Sequence, residues 1–420
     1  MTPRRHAPFA CWILGAAAGA LLAGAPLRAQ DELLDRVDDT LTFGAFHDTV
    51  GLRLSGTLDL EEYWIQQPDP GLLFSEGNRV FNPRLSLFLD AQEGPHVYAF
   101  LQARADNGFD PGDDGSRLRL DEYVVRYTPT EGTALNLQAG KFATVVGNWT
   151  RRHGSWDNPF ITAPLPYENL TGIWDTNAAS SADQVRFWAG VVPGPTRGGY
   201  FPDQYRNVPV VWGPSYASGA AASGQLGVVD YAFEVKNASL SSNPEAWGPG
   251  AEGWSHPTVS GRIGWVPDPM WNFGLSASTG SYLENAALTL PAGRSRGQYA
   301  ETVLGQDATF AWHRVQVWAE AYEARFAVPS VGNADTEAYY VEAKFKFLPQ
   351  VFGALRWNQQ VFSSLAGGGR WSRNVWRIDA GPGYRPTAHT QVKVQYSIER
   401  QDAETGRWGQ LTAVQLTARF

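Results

Sequence analysis

The final run of the chain alternates without a break: Thr412, Val414, Leu416, Ala418 and Phe420 take one parity, and Ala413, Gln415, Thr417 and Arg419 take the other. Successive side chains of an extended strand point to opposite faces, so this run is a strand with one apolar and one mostly polar face. The same period of two recurs along the chain. From Val50 to Glu62, the positions Val50, Leu52, Leu54, Leu58 and Leu60 alternate with Arg53, Ser55, Thr57, Asp59 and Glu61. It returns at 84–90, 97–106, 135–139, 184–191, 230–236, 259–265, 271–278, 314–324, 339–347, 351–358, 375–384 and 392–399. A sandwich also alternates, but strands this numerous in one unit favour a sheet closed on itself.

Average hydropathy hides this. The mean hydropathy of −0.30, with 43% hydrophobic and 18% charged residues, would by itself suit a water-soluble protein. A barrel that crosses a bilayer places apolar residues at every second position, so its mean is low while one whole face is lipid-compatible. Aromatic residues make up 13%, enough for rings at both membrane interfaces, although a soluble all-β enzyme could carry as many.

At the other end, Arg4 and Arg5 precede an apolar stretch from Phe9 to Ala25, too short for a membrane span, followed by Leu27-Arg28-Ala29 as a cleavage site. Residues 1–29 therefore read as a secretory signal peptide, 30–47 as a short periplasmic segment with a short helix within 31–39, and 48–420 as the barrel. The single Cys11 lies in the segment to be removed, so disulfides, thiolate metal sites and cysteine nucleophiles are all excluded from the exported chain. Removing Arg4, Arg5 and Arg28 with no acid leaves that chain more acidic than the formal −8 of the whole sequence.

Connection lengths orient the barrel. Short links at 91–96, 128–133, 266–269, 313–314, 348–350 and 385–390 alternate with long ones at 65–80, 107–116, 240–255, 283–297 and 401–409. Short turns belong on the periplasmic side and long loops outside. With a strand at 216–223, and one more expected near 170–175 to keep the count even, the total is about 18 antiparallel strands, with 16 as the alternative. Leu118 and Leu120 have the opposite parity to Tyr123, Val125 and Tyr127, which calls for either a β-bulge at Asp121-Glu122 or a strand that starts at Asp121.

Enzyme signatures are missing from the sequence: it contains no G-x-S-x-G, no H-E-x-x-H and no Walker loop. The histidines beyond the signal segment (His47, His96, His153, His256, His313, His389) are scattered over predicted turns and strand ends. No cofactor, metal or nucleic-acid site is expected. Cationic residues on inward parity are more informative. Arg84, Arg104, Arg119 and Arg126 fall on three consecutive strands, with Arg186, Arg262, Arg356 and Arg377 on later ones. Lys344, Lys346 and Lys393 share those faces. Such a series sets anion preference if it stands unopposed. Asp59, Asp90, Asp106, Asp121, Glu234, Glu320, Asp379 and Glu399 lie on the same faces, so the alternative is that the charges pair along the wall.

The stretch from Lys141 to Asp183 is long, irregular and rich in proline. It carries Trp149, Arg151, Arg152 and Trp156, with Asp157 and Glu168. Folded inward it is a constriction loop, and folded outward an external lid.

At this point the chain resembles bacterial outer-membrane porins. Leu120 to Pro129, followed by Leu135 to Phe142 and Gly147, is similar to a strand pair of the phosphate-selective porins, and a carboxy-terminal Phe such as Phe420 resembles the signal read by the barrel assembly machinery. The resemblance implies a water-filled channel embedded in outer-membrane lipid, commonly a homotrimer, with lysines or arginines along an anion path. A dense lysine ladder, which that family would imply, is not found here. The expected function is diffusion of small hydrophilic solutes, with anions and sugars as candidate classes. Two rivals stand beside it: a barrel enzyme such as a protease or phospholipase, and a structural barrel sheathing an export or electron-transfer partner.

Overall fold

The computed structural model describes residues 34–36, 40–45, 50–66, 72, 78–106, 117–130, 132–192, 207–244, 253–284, 287, 290–402 and 408–420. The expected signal peptide lies outside them. The alternating segments pair into one antiparallel sheet: β1 Thr42–Ala45, β2 Val50–Ile65, β3 Arg79–Glu93, β4 Val97–Asp106, β5 Arg117–Tyr127, β6 Asn136–Phe142, β7 Ala217–Leu226, β8 Val229–Lys236 and β9 Thr258–Asp268. It continues through β10 Trp271–Ser281, β11 Ala300–Trp312, β12 Val315–Val328, β13 Gly332–Lys346, β14 Val351–Phe362, β15 Val375–Tyr384, β16 Thr390–Gln401 and β17 Trp408–Arg419.

Each of β2 to β17 bonds its sequence neighbours, and β17 closes on β2 from Leu411↔Ile65 to Arg419↔Thr57. Closure leaves no unpaired edge for lipid to meet. The result is a sixteen-stranded barrel, the smaller of the two expected counts. β1 pairs with the remaining half of the same β2 edge, from Thr42↔Arg53 to Ala45↔Val50, so the sheet begins at Thr42 and not at 48. Phe420 fastens the seam. Its N–H donates to the Gly56 carbonyl at 3.0 Å, and the Gly56 N–H donates to the Phe420 carbonyl at 2.9 Å. The Phe420 ring has the outward parity of Leu416 and Ala418 but is packed, only 7% exposed, over Gly56, where a Cβ would come within 2.6 Å of it.

Two expected strands do not form. Residues 184–188 fall in helix α2 (Ala182–Trp188; α1 is Leu165–Glu168) and 189–191 follow its end, while 170–175 contributes only an isolated bridge, Trp174 to Asn207. Val185 and Trp188 are buried three residues apart while Arg186 is only partly buried, which is helical spacing, and Ser181 caps the helix by accepting from the Gln184 N–H at 3.2 Å. The bulge is real. Gln102 faces Glu122 and Ala103 faces Leu120, so Asp121 is the extra residue, inside a strand that starts at Arg117.

Outward positions such as Ile263, Leu275, Leu304 and Leu355 are more than half exposed, forming the lipid face. Near the short turns it ends in rings, with Trp271 and Phe310 centroids 4.5 Å apart and Trp312 close by. The Gly227 turn at φ 61° and the His313-Arg314 link are on this same side, as the connection lengths predict.

Candidate functional site: the lumen and the segment that enters it

Between β6 and β7 the chain leaves the wall and turns into the barrel. Irregular backbone inside a closed sheet must find acceptors and donors on the inward side chains, and it does so strand by strand. Thr144 Oγ1 donates to Glu234 at 2.6 Å. The N–H groups of Asn148 and Trp149, which opens a 3-10 turn over Trp149–Arg152, both donate to one oxygen of Glu320 at 2.6 Å, and the Tyr167 hydroxyl donates to the other. Gly147 makes this approach possible. Its φ of +75° and the 2.0 Å that would separate a Cβ from the Tyr322 hydroxyl both exclude a side chain.

Further on, Lys393 Nζ donates to the carbonyls of Ser155, Asn158 and Phe160 at 2.8, 2.9 and 2.9 Å. Gln395 accepts from the Ile161 and Thr162 N–H groups at 2.7 and 3.1 Å. A short helix, α1 (Leu165–Glu168), docks through the Leu165 N–H on Asn358 at 3.2 Å and through an ion pair between Glu168 and Arg377.

Packing completes the attachment. Val146, Trp149, Tyr167, Val185 and Trp188 form one apolar core with inward residues of the wall, among them Val303, Tyr322, Phe326 and Phe362. Burial of this kind contributes about 25 cal/mol per Å² of apolar surface, which polar latches alone would not supply. The segment therefore fills the side of the lumen lined by β8 and β10 to β16.

A cleft remains open against the opposite wall. It has about 150 Å³ and is bounded by Glu61, Arg84, Arg104 and Asp106 on β2 to β4 and by His153 and Phe160 on the inserted segment. Its guanidiniums are paired. Arg84 meets Asp59 at 3.3 Å and also Glu61; Arg104 meets Asp106 at 3.1 Å and Asp121 at 3.0 Å; Arg119 meets the same two at 2.5 and 2.6 Å. Asp121 points inward because the bulge turns it there. His153 is fixed as the Nδ1–H tautomer, donating to the Thr150 carbonyl at 2.6 Å and accepting from the Tyr216 hydroxyl at 2.9 Å. Burial pushes its imidazole below the ordinary range, so the ring is neutral.

The other inward arginines are paired as well. Arg262 bonds Asp230 and Asp307, each at 2.7 Å; Arg356 bonds Asp379 at 2.7 Å and Glu342 at 3.3 Å; Arg377 bonds Asp379 at 3.0 Å besides Glu168. Arg126 differs: it donates to Gln138 at 3.2 Å and stacks over Tyr98, with no carboxylate in contact among the described residues. Arg186 is not on the wall at all; it sits on α2, paired with Asp183 at 3.3 Å. Of the loop candidates, Trp149, Arg152 and Glu168 are buried anchors, with Arg152 bonded to Glu342 at 2.5 Å and lying 4.4 Å from the Trp318 ring centroid. Lys141 belongs to β6 and donates to the Leu120 carbonyl at 2.9 Å. Arg151 and Asp157 are exposed to the lumen, and neither makes an ion pair among the described residues.

One cluster eluded the sequence reading. On the periplasmic side of the inserted segment, Arg385 lies 4.6 Å and Arg419 4.0 Å from the Trp156 ring centroid, while Lys344 lies 4.3 Å from that of Phe352. Among the described residues, neither Lys344 nor Arg385 makes an ion pair, and Asp157 is the one acid from the inserted segment whose charge both of them feel. Arg385 sits in a predicted turn and Arg419 next to the last residue, positions where sequence parity says little about direction.

No family model and no curated protein matches the chain. Among solved structures, OmpF of Salmonella typhi in complex with daunomycin is similar over 90% of this chain and 100% of its own, with 12% identity and a TM-score of 0.57. The outer membrane channel DcaP of Acinetobacter baumannii is similar over 90% and 99%, with 11% identity and a TM-score of 0.55. An anion-selective porin from Comamonas acidovorans is similar over 88% and 100%, with 10% identity and a TM-score of 0.54. The fold is thus that of outer-membrane porins.

Proposed function

We propose that this protein is an outer-membrane channel for passive diffusion of small hydrophilic solutes, with the segment between β6 and β7 as its constriction. The observation that carries this reading is the inserted segment itself, tied to Glu234, Glu320, Asn358, Arg377 and Gln395 on one side and leaving a polar cleft along β2 to β4 on the other. An enzyme would need a nucleophile or acid–base pair at an accessible rim, and the lumen carboxylates here are largely engaged in wall ion pairs or in holding the loop.

Charge preference, in this reading, does not come from Arg84, Arg104 and Arg119, whose carboxylate neighbours offset them. A modest preference for anions comes from Lys344 and Arg385, which make no ion pair among the described residues and are opposed only across a longer distance, by Asp157 and, for Lys344, Glu342. Neutral sugars would pass as well. A trimer form is described for OmpT of Vibrio cholerae, a similar fold at 8% identity and a TM-score of 0.54, and the same assembly is proposed here. Planar-bilayer recording with asymmetric salt tests the proposal: discrete ohmic steps with a reversal potential on the anion side are expected. Absence of conductance from correctly folded protein would overturn it.

A further inference from the structure

A second cavity lies apart from the constriction. It has about 470 Å³ and opens at the periplasmic mouth, between the β3–β4 turn and the inward faces of β4 to β6. Its floor is aromatic. Phe100 stacks on Phe88 with centroids 6.1 Å apart, and Tyr98 is held by a hydrogen bond to Asp90. Its two charged groups, Glu122 and Arg126, come from the same face of β5 with Val124 between them. Four residues of strand separate them, about 13 Å between Cα atoms. Each feels the other's charge, yet they form no ion pair.

Both groups are oriented and neither is saturated. Arg126 is steadied by the Tyr98 ring, 5.5 Å away, and by Gln138, while its Nε is buried with no acceptor. Glu122 lies close to the Ala143 backbone. Its other cationic neighbour, Lys236, is already committed to Glu234 at 3.4 Å and to the Phe142 carbonyl at 2.7 Å. A buried donor without an acceptor is costly unless something fills the place. Across the lumen mouth and along the constriction wall, opposite charges meet directly. Here they face each other across a gap with an apolar floor between them.

We infer that this cavity is a binding site for a small zwitterion of the amino-acid and short-peptide class, its ammonium on Glu122, its carboxylate on Arg126 and its side chain on Tyr98 and Phe100. A ligand with both charges spans the gap and satisfies both groups at once, whereas an anion or a cation leaves one of them unmet. Binding at this site does not require that the barrel conduct, so an equilibrium measurement separates the two readings.

The probe is glycyl-phenylalanine, titrated by calorimetry into the folded full-length barrel in detergent. Its N-acetyl derivative, which keeps only the carboxylate, and its amide, which keeps only the ammonium, serve as comparisons. The parent dipeptide is expected to bind about tenfold or more tightly than either derivative, the loss anticipated when one charge-assisted contact is removed. Glu122→Gln and Arg126→Gln should each weaken it by a similar factor. Because either could disturb the mouth, the exchanged pair Glu122→Arg/Arg126→Glu is a second variant, in which a reversed dipeptide is expected to bind again. Equal affinity of all three ligands, or affinity unchanged in both single variants, would overturn the inference.

Discussion

The two sides of the lumen use the same residue types to opposite effect. On the β2 to β5 wall, Arg84, Arg104 and Arg119 are interleaved with Asp59, Glu61, Asp106 and Asp121, so the patch carries one more acid than base and its field decays within the wall. Beneath the inserted segment, Lys344 and Arg385 lean on the rings of Phe352 and Trp156 and meet no carboxylate among the described residues. Aromatic faces steady a cation without cancelling its charge. The number of arginines on a pore wall is therefore a poor guide to its selectivity, and what counts is whether each has an acid within hydrogen-bond reach.

The difference persists only while the segment stays docked, so the largest effect is expected from undocking it. Glu320→Ala removes the acceptor shared by the Asn148 and Trp149 N–H groups and by Tyr167. Losing it should weaken attachment by on the order of 3 kcal/mol. Unit conductance should rise and the exclusion limit for sugars relax, with the heat-modifiable barrel band retained. Conductance equal to that of the parent would place the bottleneck elsewhere.

Next in size is the loss of Lys344 and Arg385. Lys344→Gln with Arg385→Gln should move the reversal potential toward cations at low salt, and less so at about 1 M, where the screening length is about 3 Å. A potential that stays put would end the contrast between the two regions.

The paired wall calls for a different variant. Removing Arg84 alone would expose Asp59 and Glu61 and shift selectivity for a trivial reason. Arg84→Gln together with Glu61→Gln removes opposite charges in equal number and should leave the reversal potential within error of the parent. A clear shift would mean that this wall is not self-cancelling.

The smallest effect is one of pH. Burial lowers the His153 pKa, so the docked segment prefers the neutral ring. As pH falls below the ordinary value of about 6.5, an undocked His153 takes up a proton before a docked one, and docking weakens progressively toward the lowered value. His153→Gln should flatten the change in conductance between about pH 7 and about pH 5. An unchanged profile would assign the acid response to the carboxylates.

Much of the fold could be read from period two alone. A barrel strand must present one face to lipid and one to water, and that demand is written in every second residue of the strands from β2 to β17. The same rule failed between β6 and β7. The run at 184–191 alternates by chance and is largely helical, because Val185 and Trp188 pack into a core inside the barrel and lipid plays no part in their placement. The inward residues Val303, Tyr322 and Phe326 are the part of that core carried by the wall.

The sequence by itself determined that the strands alternate between lipid and lumen and which turns are short, and it narrowed the parity change to a bulge at Asp121-Glu122 or a strand start at Asp121, since these follow from local geometry and one-dimensional periodicity. Only the tertiary structure decided which charges cancel. Asp59 pairs with Arg84, Glu168 with Arg377 and Glu342 with Arg152 across 25, 209 and 190 residues of chain. Strand parity says that such side chains share a lumen but not at what height or opposite whom, and Coulomb interactions depend on distances that are set only when the barrel closes and the segment docks.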